Sequence, residues 1–289
     1  MALPGLVAAN NLSDVVDKEK AWDNLGLSIS ADFLLENLDA DAAAYLIAVM
    51  QADQVGLEPA VQLAVSNFVA GCKSDGIWSA IKASCILMGA RTLAGALIPL
   101  AGNAPTNVGP FVSSDYNRRT GLKGNGSTKY LNTNRKPSDD PQDNAHISCY
   151  VTEPSSVVSR HYMGAGVTSP SNSLSQIVDS ANNLSFTVNG ASSVTALGVG
   201  QSALGFIGAI RQNSSEISGR VNNVTATQSF PSTARSSQDI FVFGRNVNGS
   251  LNAPSNRRMA FYSIGEAVDL ALLDTRVTTL VNDLGAAIP

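Results

Sequence analysis

Apolar positions follow a helical rhythm near both ends of the chain and a strand rhythm through the middle. From Asp39, a residue suited to an N-cap, Ala42, Leu46, Val49 and Met50 fall on one helical face. Pro59 suits a first helical turn and opens a second run. There Val61, Val65, Phe68 and Cys72 recur at steps of four, three and four, and Asp75-Gly76 stops it. A third helix is expected over Trp78–Leu87. These stripes read as core-facing, with no cofactor box among them, so no cofactor is expected.

From about Gly102 the period shortens. Candidate strands are Gly109–Val112, Gly121–Leu122, Lys129–Asn132, Ala145–Thr152, Val157–Met163 and Leu174–Asp179. They continue with Leu184–Val188, Leu204–Arg211, Glu216–Val221, Val224–Ser229, Asp239–Gly244 and Arg258–Ile264. Ile147, Cys149 and Val151 share one face. Clusters of Gly, Asn, Ser and Pro punctuate the strands at short intervals, the rhythm of an antiparallel β-sandwich or jelly roll. Within Gly121–Asn134, the run Lys123-Gly124-Asn125-Gly126-Ser127 is turn chemistry, and it predicts a hairpin between its flanking strands.

The chain closes with a helix expected over Val268–Leu284. Leu270, Leu273, Val277, Leu280 and Leu284 form an a/d-like seam, with Gly285 as the stop. Such a seam either covers the sandwich of its own chain or meets copies of itself around a symmetry axis. The opening segment differs again: Leu12, Val15, Trp22 and Leu25 are large apolar groups on a stretch too short to bury them. Four parts follow: an N-terminal arm (1–38), a helical block (39–101), a jelly-roll sandwich (102–266) and a C-terminal helix (267–289).

Composition narrows the function. Of 289 residues, 44% are hydrophobic and only 15% charged, against roughly 25% charged in ordinary soluble domains. The net charge of −4 opposes a general phosphate-binding surface, and Arg118-Arg119 and Arg257-Arg258 are local pairs. No nucleic-acid partner is expected. Met1–Asn10 lacks the basic start and apolar run of a signal peptide. Ile86–Ala101 is broken by Arg91 and Pro99, so no membrane partner is expected either. Cys72, Cys85 and Cys149 form no metal spacing and read as buried free thiols.

No catalytic constellation emerges. His146 and His161 sit outside any metal-binding spacing. Asp139, Asp140 and Asp143 cluster hard oxygens, but Pro141 divides them and the order of a calcium loop is missing; the expectation is a solvated loop. Glu153, Asp179, Glu216 and Asp239 are scattered, without the paired arrangement that glycoside hydrolysis needs. Neither a nucleophile elbow nor a phosphate loop occurs. The expectation is a protein that is not an enzyme, with no catalytic, metal or cofactor residues.

Two resemblances go further. The string Gly124-Asn125-Gly126-Ser127-Thr128-Lys129-Tyr130-Leu131 and the closing Phe261-Tyr262-Ser263-Ile264-Gly265-Glu266 resemble concanavalin A-like (laminin G-like) jelly-roll domains of bacteriophage virion proteins. Asp75-Gly76-Ile77-Trp78 is similar to the helical lead-in of such proteins, and the resemblance spans residues 40–285. Separately, Asn11-Leu12-Ser13-Asp14 and Ala21-Trp22-Asp23-Asn24-Leu25-Gly26 resemble an element of phage tail-fibre proteins near their attachment end. Trp22 stands there in place of a small or basic residue.

These resemblances imply a non-enzymatic structural protein on the exterior of a phage particle, assembled in the host cytoplasm. The implied place is a tail, neck or baseplate fibre, anchored to other virion proteins through Leu12, Ser13, Asp14, Val15, Trp22, Asn24, Leu25 and Gly26. A homotrimer is the expected assembly, with the leucine seam as its sequence-level support. The alternatives are a capsid decoration protein and a module that binds a host-surface glycan.

Overall fold

The computed structural model describes residues 38–167, 173–180, 182–191, 194–196 and 202–289. The arm residues Leu12, Ser13, Asp14, Val15, Trp22, Asn24, Leu25 and Gly26 lie outside them. The described chain opens with helices α1 (Ala40–Asp53) and α2 (Pro59–Ser74). The Asp39 side chain accepts from the N–H groups of Asp41 and Ala42, capping α1 as its position predicts. Gly76, at φ +72°, provides the left-handed turn that ends α2.

The next stretch departs from expectation. After a single turn at Trp78–Ala80, the chain runs as strand β1 (Ile81–Ile86) rather than as a third helix. Ala83, Cys85 and Leu87 face one apolar cluster while Ile86 and Met88 face another. A run apolar on both sides reads equally as a buried helix, and only pairing with a neighbouring strand separates the two.

Past the short helix α3 (Leu93–Ala96) the strands begin with β2 (Thr106–Val108), β3 (Tyr116–Asn117), β4 (Gly121–Lys123) and β5 (Tyr130–Asn132). The long strands follow: β6 (Ala145–Glu153), β7 (His161–Val167), β8 (Ser173–Asp179) and β9 (Leu184–Gly190). Next come β10 (Val194–Ala196), β11 (Gly205–Arg211), β12 (Glu216–Val221) and β13 (Val224–Ser229). The series ends with β14 (Phe241–Val242), β15 (Arg245–Val247), β16 (Ser250–Asn252) and β17 (Arg258–Gly265). Helix α4 (Leu270–Ala287) closes the chain.

One sheet has the order β13-β12-β11-β6-β17-β4-β3, with β1 also on β17. The other runs β10-β9-β8-β7-β14-β5-β2, with β15 on β7 and β16 on β15. Neighbours are antiparallel except β15 on β7. The protein is a mainly β, jelly-roll-type sandwich with helices at both ends of the chain. Between the sheets lie Ile147, Cys149 and Val151 of β6, the face their alternation assigns, packed among residues such as Leu131, Met163 and Ile177.

Several predicted strand limits shift. Gly109 sits at φ +83° after β2, so Gly109–Val112 is not a strand. The stretch Val157–Arg160 is loop, and β7 starts at His161. Within Asp239–Gly244 only Phe241-Val242 pairs, because Phe243 at φ +72° turns the backbone away.

The Gly121–Asn134 segment is the largest correction. Its strands do not form a hairpin: β4 pairs with β3 and β17 in one sheet, and β5 pairs with β2 and β14 in the other. The turn is a crossover between layers. Asn125 Oδ1 accepts from the backbone N–H groups of Ser127, Thr128 and Lys129. Gly124 lies so close to the chain at Ser255 that a Cβ would meet its carbonyl oxygen at 2.1 Å.

The helices cover the outer face of the first sheet. One apolar cluster joins Leu46, Phe68, Phe206, Phe261, Leu273 and Leu284, so residues from all three predicted regions beyond the arm share it. Phe68 of α2 meets Phe261 of β17 edge-on at 5.7 Å between centroids. The α4 seam is used here. Leu270, Leu273, Val277, Leu280 and Leu284 are buried within their own chain, so the seam lends nothing to a trimer. Helix α4 starts after the Asp269 cap and runs through Gly285 to Ala287, where the buried Ile288 anchors its last turn.

Candidate functional site

With the seam of α4 turned inward, the buried Asp274 and the half-buried Thr278 lie on one flank of the helix, and Thr275, Thr279 and Asp283 on its exposed side. The 3.6-residue period of the helix puts these positions on adjoining rows. Beside it, β12 and β13 join through Asn222 and Asn223, at φ +41° and +67°. Two successive positive φ values describe the tight hairpin turn that Asn tolerates. The loop into β11 completes the third side, with Leu204 and Gly205 next to that turn.

These three elements, with Tyr150 of β6, enclose an open groove of about 540 Å³. Its floor is organised by Asp274. The carboxylate accepts from Arg220 Nε at 2.8 Å, Asn223 N–H at 3.0 Å and Thr278 Oγ1 at 3.1 Å. Arg220 also donates to Thr225 Oγ1 and to Asn223 Oδ1. Asn222 donates through Nδ2 to the Leu204 carbonyl, and a Cβ on Gly205 would meet Asn222 Oδ1 at 2.1 Å. The turn, the loop and the helix are therefore cross-braced.

Above this floor, Thr275, Thr279, Asn222 and Asn223 are exposed and Tyr150 is half-buried. Burial pushes the Tyr150 phenol up, and its hydrogen bond with Thr278 partly opposes that shift. The groove offers hydroxyls, amides and one aromatic side chain on a rigid base. Asp274 is the one carboxylate among the described residues lining it. A second opening of about 570 Å³, between α1 and Trp78, is mostly apolar, and Trp78 Nε1 there donates to Asp41 Oδ2 at 2.9 Å.

The residues singled out from sequence are dispersed. Arg135 pairs with Asp140, while Asp139 accepts from Lys136 N–H. Among the described residues no three His, Cys, Asp or Glu side chains converge as metal ligands. Glu153 binds Lys123 and Arg258, Asp239 accepts from Asn132 Nδ2, and Asp179 lies in the interior against Arg257. His146 sits between the Glu266 carbonyl and Ser263 Oγ, and His161 contacts Gln176. Cys72, Cys85 and Cys149 are free and buried, and burial pushes each thiol up to about 12. Among the described residues no helix is long and apolar enough to cross a membrane.

Tyr150, Asn222, Asn223 and the threonines of α4 stand in no recognisable motif spacing. The available signals were the Asn-Asn pair between two strands and the polar rows left once the seam was assigned.

No known family's sequence profile matches this chain, and no curated protein is similar to it in sequence. Among solved structures it is similar to the binding domain of botulinum neurotoxin serotype D, at 11% identity and a TM-score of 0.47. That match covers 69% of this chain and 51% of the toxin chain, so this protein spans about half the toxin domain's length. It is also similar to the CBM40 of the Ruminococcus gnavus IT-sialidase, at 10% identity and a TM-score of 0.36, over 49% of this chain and 85% of that one. The NanB sialidase of Streptococcus pneumoniae matches at 10% identity and a TM-score of 0.35, over 48% of this chain and 24% of that one.

Proposed function

We propose that this protein is a non-catalytic binding module and that the groove between α4, the Asn222–Asn223 turn and Tyr150 holds a glycan. The observation that carries the reading is the groove's chemistry: exposed hydroxyls and amides beside a tyrosine, on a floor already locked by Asp274. A sugar presents hydroxyls that both donate and accept, together with apolar C–H faces. Threonine and asparagine match the first, and a tyrosine ring matches the second. A rigid floor keeps the ordering cost of binding low. Glycoside cleavage takes two facing carboxylates about 5–9 Å apart, and the described residues of the groove lining supply Asp274 alone.

Thr275→Arg tests the site, because Thr275 is exposed on α4 and a long side chain there fills the groove. Purified protein should retain a subset of glycans on an array, and T275R should lose them with its melting temperature unchanged. Retention of no glycan, or binding indifferent to T275R, overturns the proposal.

The setting proposed for this module is the exterior of a phage particle, held there by the N-terminal arm. The resemblance of residues 11–26 to tail-fibre attachment segments supports it. Deleting residues 1–30 should leave a folded protein that no longer enters particles. Incorporation at the normal copy number overturns the arm's role.

A further inference from the structure

We infer that the ligand is an uncharged oligosaccharide lying across α4, rather than a single sugar or an acidic glycan; this rests on the glycan reading above. On the other flank of α4, facing α2, lies a second depression of about 360 Å³. Its lining includes Asn67, Phe68, Arg276 and Asp283, and Thr279 lines both depressions. Thr279 is exposed, and as a residue shared by both linings it forms the ridge between them. A helix with its side chains is about 10–12 Å across, more than one sugar ring spans. A ligand using both depressions must therefore be a chain that crosses the ridge at Thr279.

Charge sets the class of that chain. Each described arginine at the trough already has a carboxylate partner that balances its charge. Arg276 is held bidentately by Asp75 at 2.7 and 2.9 Å, and Arg220 is held by Asp274 at 2.8 Å. Among the described lining residues an acidic sugar would find no cation without a carboxylate partner, and it would meet Asp283, which is exposed. Like charge without a counter-ion discriminates by repulsion. Neutral hydroxyl-rich chains incur no such cost.

The test is calorimetric titration of the full chain with neutral gluco-oligosaccharides from monosaccharide to hexasaccharide. The same chains capped by sialic acid form the second arm. Affinity should rise at least about tenfold from monosaccharide to tetrasaccharide, and fall at least about tenfold on capping. Thr279→Arg should remove the gain with length, and Asp283→Lys should reduce the discrimination against capped chains. If neither series binds and a broad glycan array is also blank, the glycan reading itself fails. If sugars bind in a T275R-sensitive manner but a monosaccharide equals the tetrasaccharide, or capped chains bind as well, this inference alone is overturned.

Discussion

Arg257 lays its guanidinium 3.7 Å from the centre of the Tyr162 ring while its Nη2 stands 2.9 Å from Asp179 Oδ2. Both charged side chains are wholly buried. Asp179 ends β8 in one sheet and Arg257 precedes β17 in the other, so the pair ties the two layers together. Removing one member leaves the other charged and unpaired in the interior. Asp179→Ala should cost about 3–5 kcal/mol in urea denaturation. The double change Asp179→Leu with Arg257→Met should recover most of that loss, because it removes both charges at once.

Stability should fall on mild acidification, before carboxylates dominate. Burial holds His146 down at about 4, and burial together with the nearby Arg245 holds His161 at about 3, both against an ordinary 6.5. A depressed folded-state value means the unfolded chain takes up protons first. Stability is therefore full above pH 6.5 and is lost as pH falls towards 4 and then 3. Each ring can contribute at most about 1.4 kcal/mol per pH unit. Denaturation midpoints measured between pH 7 and 4.5 should decline steadily, and His146→Gln should flatten the slope.

The crossover between sheets should be intolerant of any side chain at residue 124. A Cβ there would stand 2.1 Å from the Ser255 carbonyl oxygen and 3.1 Å from the Phe243 ring, so backbone must move. Gly124→Ala should cost about 1–3 kcal/mol, as overpacking does. Asn125→Ala, which removes one acceptor serving three N–H groups, should cost about 1 kcal/mol, less than the loss at Gly124. Chemical denaturation of the two variants gives the comparison.

Leu280 lies in the middle of the α4 seam and is 1% exposed within a single chain. Leu280→Ala should cost about 2–5 kcal/mol by leaving a cavity against the cluster that α4 shares with α2 and β17. Light scattering should find the mass in solution unchanged. A drop in mass with stability retained would return the seam to an inter-chain interface.

What the chain wrote into its own order is whatever repeats locally. Asp39 before an apolar stripe, Pro59 opening a run and Gly76 ending it, the alternation of Ile147, Cys149 and Val151, and the α4 seam all show in sequence. In each case neighbours within a few residues decide the backbone, through capping, fixed φ or side-chain period. What lies opposite each element is not local, and tertiary structure decided it. Turn chemistry at Gly124–Ser127 is the same whether the chain returns along its own strand or crosses to another sheet; the approach of Ser255 and Arg257 selects the crossing. Ile81–Ile86 became a strand because β17 offered an edge to pair with. The seam's partner, and hence the polar rows left facing solvent, followed from the apolar outer face of the first sheet. The groove itself draws Tyr150, Asn222 and Thr279 from positions far apart in sequence, where no spacing relates them and only the packing of α4 brings them together.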